Sequence, residues 1–206
     1  MPVLYGSKGS GSAAVEAALV RIGQDFRVVD AASWQPGPGR DALLGVNPLG
    51  QIPTLVLDDG AVLTESAAIL IHLGLAAAPG RLLPAAFGAR AQALRGLVYI
   101  AANCYAAISV IDFPERWCEP CDEATKEGIR TGTRARLHHH WTLFADQFGA
   151  AFDAAEPGAL ELLATVVSRW SGARAHLQAL RPDFAARLLQ VERHPDVAAV
   201  FQHHWP

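Results

Sequence analysis

An α/β layer followed by an all-helical bundle is the fold class that this sequence predicts, on two observations. Short β-type runs alternate with helical patterns up to a composition shift near Ala78-Pro-Gly-Arg-Leu-Leu-Pro84. From Phe87 onward nearly every apolar stripe has helical period. The chain of 206 residues, 51% hydrophobic and 18% charged, has ample surface to bury, and that balance excludes long disorder. The expected division is an N-terminal α/β unit over 1–77, a linker over 78–86 and a helical unit over 87–206.

Taken in order, Val3–Tyr5 reads as a first strand. Val15, Ala18, Leu19 and Ile22 then fall at i, i+3, i+4 and i+7, one face of a helix that stops at Gly23. Phe26–Val29 reads as a second strand. Pro36, Gly37, Pro38 and Gly39 make Ala31–Asn47 mostly loop, with one helical turn near Asp41–Leu44. Thr54–Leu57 and Ala61–Leu63 flank Asp58-Asp59-Gly60, a hairpin with an Asp-Gly turn signal. Glu65–Ala77 is helical, with apolar Ala68, Ile69, Ile71 and Leu75. Leu94, Leu97, Val98, Ala101, Tyr105 and Ile108 trace a long helix ended by Pro114. A second runs from about Asp122 to Phe148, a third carries Leu163, Val166, Val167 and Trp170, and two shorter ones flank Pro195.

The bulk numbers narrow the function. A formal net charge of −3, with basic residues spread along the chain, gives no polyanion footprint, so no nucleic-acid partner is expected. The densest basic stretch, Arg130 to Arg136, reads as a solvated helix face. No apolar run is read as a membrane span, since Asn103 and Ser109 interrupt Tyr99–Ile111. With no basic or apolar leader at the N-terminus, the expected location is the cytoplasm. Three cysteines, Cys104, Cys118 and Cys121, form an odd, sparse set that suits a reducing compartment and argues against a disulfide framework.

Three segments carry chemistry. The first, Leu4-Tyr-Gly-Ser-Lys-Gly-Ser10-Gly-Ser12-Ala, is a Gly/Ser loop between a strand and a helix. Its backbone N–H groups sit at the positive end of that helix, and Ser10 or Ser12 can cap it. The loop lacks the spacing and the Gly-Lys-Ser ending of a P-loop. The second, Val46-Asn-Pro-Leu-Gly-Gln51-Ile52-Pro53-Thr54-Leu55, places Pro53 at a strand start. A cis Ile52–Pro53 bond would turn the Ile52 backbone outward as an edge for an extended peptide, and only about 5–6% of X–Pro bonds are cis. The third, Leu63-Thr-Glu65-Ser66-Ala-Ala-Ile-Leu, reads either as a simple helix start or as a clamp for an amino-acid zwitterion. In the second case Glu65 takes the ammonium and Ser66 the carboxylate.

In order and spacing these segments resemble the glutathione transferase superfamily. Its Tyr-x-x-(Pro)-x-Ser loop, Asn-Pro-x-Gly-x-(Ile/Val)-Pro-x-Leu strand start and (Glu/Asp)-Ser-x-Ala-Ile helix start all have counterparts, and the helical half looks like its second domain. The resemblance implies a thioredoxin-like N-terminal fold and glutathione as co-substrate, with no metal. Glu65 and Ser66 hold the γ-glutamyl end, Ile52 before cis-Pro53 pairs with the cysteinyl backbone, and Gln51 with Trp34 reaches the glycyl end. The activating residue of the family lies in the first loop. Ser10 stands beside the serine of serine-type classes and Gly11 where bacterial beta-type members carry cysteine. Tyr5 is a second candidate, because some classes use tyrosine, and Ser12 is a third. Lys8 stands where many members have proline. Gly158-Ala-Leu-Glu161 replaces the Ser/Thr-x-x-Asp capping box of the family.

The implied reaction joins glutathione to a small apolar electrophile, in detoxification, or uses it in a related lyase, isomerase or reductive step. The alternative is a non-catalytic binding protein on the same scaffold. A homodimer is expected. A thiol with a pKa of about 8.5 is only a few per cent thiolate at neutral pH, and lowering that pKa by ~2 units takes about 2.7 kcal/mol. One hydroxyl donor at roughly 1.5–3 kcal/mol and a helix N-terminus at roughly 0.3–1 kcal/mol supply it. Asn103, Tyr105, Ile108, Phe113 and Trp117 are candidates for the apolar wall, Tyr105 and Trp117 foremost because they carry polar handles. Cys118-Glu-Pro-Cys121 falls in a helix–helix turn and reads as an incidental surface loop, and nothing in the spacing brings His138–His140 or His203-His204 to it.

Overall fold

The computed structural model describes Met1–Pro206. Strand β1 (Val3–Gly6) runs into helix α1 (Ser12–Arg21), which crosses to the parallel strand β2 (Arg27–Asp30), with Leu4 opposite Val28. Strand β3 (Thr54–Val56) lies antiparallel on the other side of β1, with Leu4 opposite Leu55, and β4 (Val62–Leu63) completes the hairpin. The four-stranded sheet has the order β2-β1-β3-β4. Its hairpin turns where the sequence places it: Gly60 takes φ +86°, and the Asp59 carboxylate accepts from Ala61 N–H at 2.9 Å.

Between β2 and β3 the chain forms α2 (Pro38–Val46), nine residues where a single turn is expected. The Pro-Gly run is the reason for the difference. Pro38 is the first helical residue, where its missing N–H has no intrahelical partner to lose, so it begins the helix instead of breaking it. Helix α3 (Ser66–Ala76) follows β4, and no further helix or strand begins before Phe87. In that stretch Leu82 and Leu83 are buried, and the Leu82 carbonyl takes Ala159 N–H at 2.8 Å.

The rest is helical: α4 (Phe87–Tyr99), α5 (Ala106–Asp112), α6 (Glu123–Phe148), α7 (Ala159–Val167), α8 (Ala173–Leu180), α9 (Pro182–Glu192) and α10 (Ala198–His204). Helix α8 goes beyond the expected set; its short face of Ala173 and Leu177 is too small a periodic signal to read alone. A six-residue π segment, Ile100–Tyr105, joins α4 to α5 and makes Phe87–Asp112 one continuous rod. This is the long helix expected through Leu94–Ile108; Asn103 and Ser109 are polar positions within it and do not break the rod. The rod is long and apolar enough by composition to cross a membrane, an 18-residue window of it reaching mean hydropathy 1.5. Here its Leu97, Ile100, Cys104, Ile108 and Ile111 join Leu137, Trp141 and Leu163 in the core.

That core is a single cluster of 41 buried apolar residues running from Leu4 and Leu55 of the sheet into the helical half, so the two parts share one interior. Helix α1 is its centre. Ser12 to Leu19 are all buried, because α3 packs on one side and α7 and α10 on the other. Arg21 at the end of α1 is only 2% exposed, yet it reaches Asp196 at 2.6 Å and Glu156. Glu161 bonds back to Gly158 N–H at 3.0 Å, the half of the capping box that glycine leaves available.

One expectation fails outright. Cys118 and Cys121 are joined as a disulfide, their Cα atoms 5.2 Å apart in the turn before α6. A three-residue separation in a tight turn brings them within bridging range, and with it goes the argument from cysteine count to a reducing compartment.

Candidate active site at the seam of sheet and bundle

The first loop ends at Gly11, the residue before α1. Gly9 takes φ +74°, and Ser10 N–H bonds the Ser7 carbonyl at 3.2 Å, a turn that brings Ser10 over the start of the helix. Ser10 is 7% exposed, and its Oγ accepts from Ser12 N–H at 3.2 Å. Ser12 is fully buried and turned inward, with its Oγ 3.3 Å from both Ser7 N and Glu16 Oε1. Ser10 thus stands over the helix start, while Ser12 is turned into the interior. Tyr5 lies on β1 between Val29 and Thr54, half-buried on the sheet face opposite Leu4 and Gly6, and its hydroxyl makes no hydrogen bond.

The second segment folds as the family resemblance implies. The Ile52–Pro53 bond is cis. Buried Asn47, absent from the expected site residues, organises the turn: its amide donates to the Gln51 carbonyl at 3.1 Å and to Thr54 Oγ1 at 2.9 Å, while its Oδ1 accepts from Leu49 N–H at 3.1 Å. Thr54 closes the ring with a 2.8 Å bond to the Gln51 carbonyl. The Ile52 N–H and C=O make no bond within the chain, so an edge is open. Gln51 is exposed beside it, and Trp34, 55% exposed, stands on the loop between β2 and α2.

Glu65, the residue before α3, takes φ 62° and ψ 110°, a backbone region that a side chain rarely occupies, at a strain of about 1–3 kcal/mol. Its carboxylate enters no ion pair, and it is exposed. Next to it the Ser66 hydroxyl, 9% exposed at the first position of an eleven-residue helix, has no partner. An unpaired carboxylate and an unpaired hydroxyl at a helix N-terminus fit the ammonium and carboxylate of an amino-acid head.

The helical half meets the start of α1 through Tyr105. Tyr105, the last residue of the π segment, puts its hydroxyl directly over Gly11. A Cβ there would collide with that oxygen and stand 3.2 Å from the ring carbon bearing it. The ring packs edge-on against Trp170, with centroids 5.7 Å apart. Burial pushes the phenol up to about 12, with smaller contributions from the charges of Glu65 and Asp112. Tyr105 therefore stays a hydrogen-bond donor at any ordinary pH, and it feels the charge of Glu65 across the seam. No residue of the chain accepts its proton.

The other wall candidates divide. Ile108 is 7% exposed and belongs to the core. Asn103 spends its amide on the Tyr99 carbonyl, one turn back, at 3.1 Å. Phe113 and Trp117 are 38% and 62% exposed, and Arg116 stacks 4.1 Å over the Phe113 ring. Tyr105 is thus the wall residue that the structure brings to the first loop. No sequence signal singles out that contact, because Gly11 and Tyr105 meet only when the bundle docks on the sheet.

Comparison with known proteins agrees with this geometry. Residues 14–76 match the family described as glutathione S-transferase, N-terminal domain. The chain is 33% identical over 127 residues to the uncharacterized GST-like protein YncG of Escherichia coli K12, a match covering 61% of this chain and 62% of that protein, so the chain spans less than two thirds of that relative's length. It is 29% identical over 143 residues to the glutathione S-transferase GstA of Escherichia coli O157:H7, covering 67% and 71%. A glutathione transferase homolog from Sulfitobacter, solved with bound glutathione, superposes with a TM-score of 0.78 at 23% identity over 98% of this chain and 97% of its own. With its mixed sheet, cis-proline edge and helical second half, the chain has the fold of the glutathione S-transferases, and residues 14–76 match the N-terminal domain of that family.

Proposed function

We propose that the protein binds glutathione extended along the Ile52 edge and adds its sulfur to a small apolar electrophile. Glu65 and the Ser66 hydroxyl take the γ-glutamyl head, Ile52 pairs with the cysteinyl backbone, and Gln51 with Trp34 serves the glycyl end. That path directs the thiol toward the α1 N-terminus, where the helix field favours a thiolate. The observation that carries the reading is the free Tyr105 hydroxyl over Gly11, a donor held protonated where the sulfur would lie. A phenol donating to a charged sulfur is worth roughly 1.5–3 kcal/mol, most of what thiol activation requires. The electrophile rests against Tyr105, Phe113 and Trp117. The Sulfitobacter homolog, whose structure contains glutathione, supports the choice of thiol.

We further propose a homodimer, supported by apolar side chains left open on neighbouring helices. Leu75 of α3, Val98 of α4 and Phe87 of α4 are 64%, 56% and 82% exposed.

Calorimetric titration with glutathione, followed by a conjugation assay with a chlorodinitrobenzene, tests the assignment. Saturable binding with turnover is expected. Binding without turnover leaves a ligand-binding protein on this scaffold, and absence of binding refutes the reading.

A further inference from the structure

Beneath the first loop runs a hydrogen-bonded chain that glutathione binding does not explain. His204, in the last turn of α10, is 3% exposed. Its Nδ1 accepts from Gly9 N–H at 3.1 Å, so the ring proton sits on Nε2, which faces Glu16 Oε1 at 2.9 Å. The same carboxylate oxygen lies 3.3 Å from Ser12 Oγ. Ser12 Oγ stands 3.0 Å from Ser10 Oγ and accepts from Ser7 N–H at 3.3 Å. Gly6 makes room for this, since a Cβ there would lie 2.5 Å from the Ser12 hydroxyl.

Each hydroxyl has one proton to give. Within reach of the Ser12 proton are the Glu16 carboxylate, the Ser7 carbonyl at 3.4 Å and Ser10 Oγ. A charged acceptor makes the stronger bond, by about a factor of two, so Ser12 donates to Glu16. The contact between the two serines can then run only from Ser10 to Ser12. Ser10 already accepts the Ser12 N–H, and its own proton points inward, away from the site.

We propose that Glu16 and His204 are positioning residues that fix the polarity of the Ser12–Ser10 chain, so that Ser10 meets a bound sulfur with lone pairs and leaves donation to Tyr105. His204 holds the Glu16 carboxylate against Ser12, and through Gly9 it ties the C-terminal helix to the loop. This rests on the glutathione reading above and names the group that activates the thiol.

The test follows the thiolate absorbance of bound glutathione at pH 7, with S-methylglutathione as a ligand that reports binding alone. In Glu16→Gln the amide oxygen can still accept from His204, but it is no longer a charged acceptor, so the Ser12 proton can turn to Ser10 Oγ, the nearer oxygen at 3.0 Å. The chain reverses and Ser10 becomes a donor to sulfur. The thiolate-to-thiol ratio should rise roughly tenfold, the size of one hydrogen bond to a charged group, with the Kd for S-methylglutathione unchanged within about twofold. Loss of the Glu16 charge also favours thiolate, but independently of Ser12. In a Ser12→Ala background the gain on Glu16→Gln should therefore shrink to about threefold or less. An equal gain in both backgrounds, or none in the wild-type background, overturns the inference. Should Glu16→Gln lose S-methylglutathione binding, the His204 variants decide. His204→Leu should raise the thiolate fraction, and His204→Gln, which keeps an N–H donor toward Glu16, should restore it; equal values for the two overturn the proposal. If the wild-type protein itself fails to bind S-methylglutathione, the glutathione reading falls and takes this one with it.

Discussion

The hydroxyl of Tyr105 lies so close over Gly11 that the α-carbon there has no room for a side chain. This contact joins the bundle to the start of α1 and decides what can stand at the reactive position. Glycine is required by the phenol, and the phenol occupies the space that a first-loop side chain would take.

Gly11→Ala should therefore destabilise the fold by about 1–3 kcal/mol, the usual result of overpacking. Gly11→Ala combined with Tyr105→Phe should recover a good part of that loss. Thermal unfolding of the three variants checks the coupling, and additive losses would mean that the two residues do not meet.

Tyr105→Phe alone removes a hydroxyl that no protein group accepts, so stability should change by less than about 1 kcal/mol. The kcat/KM for conjugation should fall roughly tenfold to a hundredfold, the value of one hydrogen bond to a charged group. Steady-state kinetics beside a melting curve separates the two effects.

Glu65→Gly should relieve the strained backbone at φ 62° and leave the melting temperature unchanged or higher. The same change removes the carboxylate that holds the ammonium, so the Kd for glutathione should rise by roughly tenfold or more. A variant that is both less stable and binds equally well would place the strain and the ligand elsewhere.

Glu161 is 8% exposed, and burial pushes its carboxyl up to about 7, even though backbone N–H groups of Gly158 and Asp153 bond it. A raised folded-state value means the native protein holds this proton after the unfolded chain has released it. The stabilisation is complete below the unfolded carboxyl range and is lost as pH rises through about 7. Stability should fall by up to about 3 kcal/mol between pH 5 and 8, and Glu161→Gln should flatten that slope. Urea midpoints across this range give the answer.

What the residues disclosed in advance follows from the distance over which each signal acts. The α1 and α6 helices and the Asp-Gly hairpin are written in local periodicity and turn chemistry, and they formed as expected; the cis Ile52–Pro53 bond was implied only by the family resemblance. Helix α2 was hidden because Pro38 and Gly37 read equally as loop and as helix start. Helix α8 was hidden because two apolar residues cannot set a period. Asn47 could have been found, since a buried Asn before a proline turn commonly satisfies loop carbonyls. The Glu16–His204 pair could not. Its partners are 188 residues apart, and only docking of α10 on α1 brings them together. The Gly11–Tyr105 contact is hidden for the same reason. The three segments were legible together, by their order and spacing; the Tyr105 hydroxyl above the first of them belongs to the assembled tertiary structure.

A crystal structure with glutathione tests the central claim most directly. The sulfur should lie within hydrogen-bond reach of the Tyr105 hydroxyl, above Gly11, with the cysteinyl backbone paired to Ile52 and the γ-glutamyl head on Glu65 and Ser66. A sulfur held by Tyr5, or a tripeptide bound away from the Ile52 edge, would contradict it.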